Sequence, residues 1–256
     1  MSLAAILSVF IGLSLGLLGG GGSIVAVPMM IHVMGLAAKP AIALSLLVVS
    51  MASLSAMVVH ARAGRVRYRV GVTFGAASMV GAFAGGYVSR VLPDALLLAA
   101  FTAVMLATGA MMLRRRWEGV GASRCSSAHC TTMLGLGVGV LTGVVGAGGG
   151  FVVVPALAML GGLAMPQAIA TSLLVIGVNS LAGFFGQLGH VSIDARIAVV
   201  LSAAAVAGSY IGALVARRVR PESLRRGFAL LVLGMASVMA YGQIHELLHH
   251  SLRSAG

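Results

Sequence analysis

Apolar residues fall into eight runs, 3–34, 40–59, 70–89, 94–113, 132–163, 166–186, 195–216 and 224–244, separated by short polar or basic stretches. A bilayer core takes about 20 helical residues to cross. Six of the runs have that length and predict single membrane-spanning helices. The runs 3–34 and 132–163 are too long for one helix. Each is interrupted near its middle, by Gly19-Gly20-Gly21-Gly22 and by Gly146-Ala147-Gly148-Gly149-Gly150. A glycine costs a helix roughly 1 kcal/mol relative to alanine. Both helices are therefore expected to break there and to restart near Ser23 and near Phe151. Pro28 and Pro155, a turn or so into each new half-helix, are expected to kink it.

The two long runs are copies of one another at an offset of 127 residues. That register places Pro28 on Pro155, Gly19 on Gly146, Gly21 on Gly148 and Gly22 on Gly149. It also matches Ala41-Ile42-Ala43 to Ala168-Ile169-Ala170 and Ser45-Leu46-Leu47 to Ser172-Leu173-Leu174. Later it brings Gly81 onto Gly208, Gly85 onto Gly212 and Arg90 onto Arg217. The chain thus reads as a duplicated four-segment unit. The first repeat is 1–113, the second 132–256, and a cytoplasmic linker, 114–131, joins them.

Composition agrees with the runs. Of 256 residues, 59% are hydrophobic and 9% charged, and mean hydropathy is +1.07. A soluble domain carries about 25% charged residues, so the chain is expected to be an all-α polytopic membrane protein. The 17 Lys and Arg lie in short clusters between apolar runs rather than along a polar recognition face. That excludes a nucleic-acid partner and makes them topology signals. No Lys or Arg precedes the first run, and its near copy recurs in mid-chain, so it reads as mature structure and not as a signal peptide. Cys125 and Cys130, together in the polar loop, are expected to be reduced and without structural role.

Charge also discriminates between topologies. Eight full crossings would divide Lys and Arg 10 to 7. If each broken segment instead dips in and returns, each half has three crossings plus a re-entrant hairpin, and the halves are inverted. The division then becomes 13 to 4, with only Lys39, Arg90, Arg196 and Arg253 on the poor side. The positive-inside rule favours the second arrangement. It places loops 60–69, 114–131 and 217–226 in the cytoplasm and both termini outside.

Irregular backbone at membrane depth is tolerated only where it is packed in protein or lines a wet cavity. Matched breaks in two repeats point to a transporter's central site. The first N–H groups of each half-helix lack intrahelical partners and carry the positive end of the helix dipole. Two such ends facing each other would hold a small anion. The candidate substrate contacts are Gly19, Gly20, Gly21, Gly22 and Ser23 in the first half, with Gly146, Gly148, Gly149 and Gly150 in the second. Glycines also serve close helix packing, but two matched breaks in over-long segments favour the site. Ser45 and Ser172 are equivalent in the repeat and could hydrogen-bond an oxyanion, as could Thr171 and Asn179. A bond to a neighbouring helix or to the i−4 carbonyl would satisfy any one of them equally well. The five acidic residues, Asp94, Glu118, Asp194, Glu222 and Glu246, lie in loops or at segment ends, which speaks against a cation pathway. His32 and His60, near segment ends, are expected at the membrane interface, with proton carriage the alternative. The Gly runs are not followed by Gly-Lys-Ser/Thr, so no nucleotide loop is present. His190 has no nucleophile motif to serve, so an intramembrane hydrolase is not expected.

These motifs resemble a known family. The stretches Gly-Gly-Gly-Gly-Ser-Ile-Val-Ala-Val-Pro and Gly-Ala-Gly-Gly-Gly-Phe-Val-Val-Val-Pro, Ala-Ile-Ala-Thr-Ser-Leu at 168–173 with its counterpart at 41–46, and Gly-His-Val-Ser-Ile-Asp at 189–194 are similar to those of the TauE/SafE sulfite exporter-like permeases. The resemblance covers essentially the whole chain. Leu44 stands where the first-half motif has Thr, while Thr171 keeps it in the second half. The resemblance implies transport of sulfite, sulfonates or related organosulfur anions across the bacterial inner membrane.

The reading is therefore a secondary transporter of small anions, working by alternating access, in the bilayer of the bacterial inner membrane. It is expected to be no enzyme, to need no cofactor or metal, and to draw on a gradient, protons in the first place. A second copy of the chain is a candidate partner. The alternative is a non-transporting membrane scaffold, which would call for larger partner-binding loops than the roughly 18-residue linker.

Overall fold

The helices follow the apolar runs closely in the computed structural model, which describes residues 2–89, 94–113, 128–145, 150–187 and 194–254. All regular structure among them is helical. The elements are α1 (Ser2–Leu18), α2 (Gly21–Met34), α3 (Ala38–Arg62), α4 (Tyr68–Ser89), α5 (Asp94–Leu113), α6 (Ala128–Val145), α7 (Gly150–Pro155), α8 (Met165–Gln187), α9 (Ala195–Ala216) and α10 (Pro221–Ser254). Among the described residues, four spans in α3, α4, α8 and α9 are long and apolar enough to cross a bilayer. Their outward faces are apolar too: Phe83 on α4 is 77% exposed and Val199 on α9 67%. In water such a surface would aggregate, whereas against lipid it costs nothing. The molecule is a multi-pass membrane protein.

Local chemistry sets the helix ends. Gly35 closes α2 in the left-handed conformation, φ 64°, and its N–H donates to the Ile31 carbonyl while Leu36 N–H reaches Met30. That is the glycine cap a helix needs to stop without strain. Pro40 and Pro166 stand in the first turns of α3 and α8, where a missing N–H removes no intrahelical bond. Asp194 caps α9, its Oδ1 accepting from Arg196 N–H at 2.8 Å and Ile197 N–H at 3.4 Å.

The second broken run has an irregularity the first lacks. α7 passes directly at Pro155 into a π-helical turn, Ala156–Leu160. Proline withdraws one N–H and crowds the carbonyl four residues back, and a widened turn relieves that crowding. α2 carries Pro28 yet stays α-helical to Met34.

Packing exchanges partners between the halves. α1 lies along α9, and α6 lies along α4. The contacts are made by glycine in both pairs: Gly12 rests on the Ala205 carbonyl and Gly16 on that of Ser209, while Gly139 rests on Ser78 and Gly143 on Ala82. Each of these positions in the first pair stands 127 residues from its counterpart in the second. A Cβ at any of the four glycines would collide with a carbonyl oxygen, so the backbones touch directly. Both pairs run parallel. α3 and α8 instead run antiparallel, with Leu54 beside Gly177 and Leu46 beside Gly183. At their crossing the Ser50 hydroxyl donates to the Gly177 carbonyl at 3.0 Å, and both groups are buried. Apolar side chains fill two cores, one mainly among α1, α2, α3 and α9, the other mainly among α5, α7, α8 and α10 with contributions from α3, α4, α6 and α9.

Candidate functional site

The first break spans two residues. Leu18 ends α1, Gly19 adopts φ +79°, and Gly20 precedes α2 with no side chain capping that helix. Left-handed backbone at Gly19 would strain any side chain with a Cβ. The chain then turns back on itself, because Gly22 sits against α1: a Cβ there would lie 2.5 Å from the Ile11 carbonyl oxygen and 3.0 Å from Ser14 Oγ. In a continuous helix Ile11 and Gly22 would be about 16 Å apart.

The second half supports the break from two directions. Ser172, on α8, donates to the Gly19 carbonyl at 3.0 Å and to the Ile169 carbonyl at 2.8 Å, sharing one proton between them. The start of α7 closes on α2: Ser23 Oγ is 2.7 Å from where a Cβ on Gly150 would stand. The Ser23 hydroxyl itself donates to the Gly20 carbonyl at 2.8 Å. The N-terminal ends of α2 and α7 are thus neighbours. Ile169 and Ile176, either side of Ser172 on one face of α8, pack on Gly19 and Gly150 respectively. These two side chains escaped the sequence reading, although their i−3 and i+4 spacing from Ser172 marks them as sharing its face.

The remaining candidates are spread wider. Gly20, Gly21 and Gly22 are buried at the junction, with Leu231 of α10 against Gly21. Gly146, Gly148 and Gly149 lie outside the described residues. Ser45 is buried and donates to Ile42 within its own helix, at 2.7 Å. Thr171 is fully buried, but its hydroxyl oxygen accepts from Arg67 N–H at 3.1 Å. It thereby serves the uncapped start of α4, which Arg67 cannot cap itself. Asn179 donates to Ser78 Oγ at 3.0 Å, tying α8 to α4. Pro28 is in the middle of α2, and Pro155 at the π-turn.

His60, near the end of α3, is buried: it is 1% exposed, with Nε2 3.3 Å from the Gly16 carbonyl oxygen on α1. The His32 side chain and His190 lie outside what is described. Cys130, in the first turn of α6, is disulfide-bonded rather than reduced; Cys125, the chain's other cysteine, lies outside the described residues.

The family model described as "Sulfite exporter TauE/SafE" matches residues 4–239. The chain belongs to this family. A probable membrane transporter protein of Xylella fastidiosa (strain 9a5c) is 33% identical over 234 residues, covering 88% of this chain and 89% of its own. A probable membrane transporter protein of Methanocaldococcus jannaschii is 27% identical over 241 residues, with 86% and 89% covered. Another, from Bacillus subtilis (strain 168), is 26% identical over 209 residues, with 79% and 85% covered. As a TauE/SafE member with relatives so described, the chain is a membrane transporter. The match takes in both broken segments and the junction where they meet.

Proposed function

We propose that the protein carries a small anion, sulfite or a sulfonate first among candidates, by alternating access around the junction of α2 and α7. The single observation that carries this is the closure of Ser23 on Gly150, which sets two helix N-termini side by side. Their free N–H groups and dipoles supply positive potential without a buried cation. No Lys, Arg, Asp or Glu stands among the residues of this junction described above. A neutral site of this kind suits an anion that must also leave. Gly19 to Gly22 and Gly150 admit the substrate to bare backbone, and Ser23 and Ser172 supply hydroxyls. Ser45 is the counterpart of Ser172 and faces the same role in the other half, with Gly146, Gly148 and Gly149 completing it. Thr171 and Asn179 hold α4 and α8 around the site.

The two repeats, 1–113 and 132–256, are read as inverted. The antiparallel course of α3 and α8 supports this, since parallel repeats would send these counterparts the same way. The fold-back of Gly22 onto Ile11 supports a re-entrant first segment. Inverted halves give the two faces of the site equivalent exits, which is how alternating access is built. The bacterial inner membrane is the setting, and a proton gradient is the proposed source of coupling.

Reconstitution into liposomes tests the reading. Flux of sulfite, sulfoacetate, taurine and sulfate is followed with and without an imposed pH gradient. Saturable flux of one sulfur anion, raised by the gradient, is the expected result. Folded protein that moves none of them would overturn the substrate assignment.

A further inference from the structure

An arginine-lined cleft lies away from the junction, at the outer surface of the bundle. The cleft, of about 750 Å³, opens where the α3–α4 connection meets the C-terminal end of α9. Its polar wall is Arg65, Arg217 and Arg218; its apolar wall is Ile211, Leu214 and Val215. Arg65 reaches across from the connection, its Nη2 donating to the Arg217 carbonyl at 3.4 Å. That bond uses one of five guanidinium donors. Arg217 and Arg218 are exposed, and no ion pair involves either among the described residues.

The apolar wall identifies the occupant. Ile211, Leu214 and Val215 recur at i, i+3 and i+4, so they form one stripe at the end of α9, and Arg217 and Arg218 follow in the turn after it. Gly208, Gly212, Ala213 and Ala216 occupy the other face, against α1 and the core. Ile211, Leu214 and Val215 are 40–50% exposed and lie within the last turns of a membrane-spanning segment. The stripe therefore faces lipid. Arg217 and Arg218 follow directly after its last turn, within about 11 Å of Ile211 at the helical rise.

We propose that this cleft binds the headgroup of an anionic phospholipid, with the phosphate on Arg65, Arg217 and Arg218 and the first methylenes of an acyl chain along Ile211, Leu214 and Val215. Guanidinium forks fit phosphate oxygens bidentately, and a free oxyanion would use the arginines alone and leave the apolar wall unmatched. The lipid pins the α3–α4 connection to the end of α9, beside the His60–Gly16 contact of α3 with α1.

The test is lipid titration of the delipidated full chain by native mass spectrometry. Phosphatidylglycerol is expected to bind with at least tenfold higher affinity than phosphatidylcholine, at one high-affinity equivalent. R217Q/R218Q should lose about 25-fold of that affinity, and R218Q alone, at an exposed position, about fivefold. R196Q, at the opposite end of α9, should leave it unchanged. Equal affinity for the two lipids, or equal loss in R196Q, would overturn the site. Displacement of phosphatidylglycerol by millimolar inorganic phosphate or sulfite would assign the cleft to a soluble anion instead, and would overturn the lipid reading. None of these outcomes depends on transport activity.

Discussion

The hydroxyl of Ser172 donates to the carbonyl oxygen of Gly19 across 153 residues of sequence, at 3.0 Å and fully buried. A helix of the second half thereby holds the break in the first. Gly19 has left-handed backbone and lies in the break just past α1, where its carbonyl has no place in either helix's ladder. Without Ser172 that oxygen would be buried and unpaired.

S172A is expected to cost about 1 kcal/mol in stability, the net value of one buried hydrogen bond. Transport should fall about fivefold or more, because the break loses its anchor. Thermal unfolding in detergent and flux in liposomes measure the two effects. Unchanged flux in a protein destabilised as expected would place Ser172 outside the transport cycle.

G150A and S23A form an informative pair. A Cβ on Gly150 would stand 2.7 Å from Ser23 Oγ, so G150A alone should cost roughly 1–3 kcal/mol by overpacking. Removing the hydroxyl makes room, and the S23A/G150A double variant should recover most of that loss. A double-mutant cycle on unfolding reads the coupling directly. Additive effects would mean that the ends of α2 and α7 are not in contact. G22A offers no such rescue, because the obstacle is the backbone carbonyl of Ile11.

Gly12 and Gly139 make matching contacts 127 residues apart, one on Ala205 and the other on Ser78. G12A and G139A should therefore destabilise the protein to a similar degree, about 1–3 kcal/mol each. Unfolding of each variant and of the pair checks this. The two changes lie in separate helix pairs and should add. A large difference between the single variants would mean that one pair relaxes where the other does not.

Topology is testable with single cysteines in a C125S/C130S background. Inverted halves place Lys39 and Arg196 on one side of the membrane and Arg67 and Ser223 on the other, all exposed positions. K39C and R196C should react with an impermeant maleimide from outside, and R67C and S223C only after permeabilisation. Labelling of K39C and S223C from the same side would exclude inversion.

The limits of the membrane helices were legible because bilayer thickness imposes a length and lipid imposes apolarity, and both are written residue by residue. The break at Gly19–Gly20 was legible for the same local reason, since backbone cost accumulates along a glycine run wherever it sits. The roles of polar side chains were not. Ser172, Thr171 and Asn179 look alike in an apolar helix. Only tertiary structure sends Ser172 to the Gly19 carbonyl, Thr171 to the start of α4 and Asn179 to Ser78. His60 shows the same limit. Its place near a helix end says nothing of its partner, and only the packing of α3 on α1 buries it with Nε2 3.3 Å from the Gly16 carbonyl. Sequence by itself determined the helices and the break at Gly19–Gly20, because each depends on neighbours along the chain. Which partner each polar group meets was decided by how helices far apart in sequence pack, and that depends on the backbone approach their glycines permit.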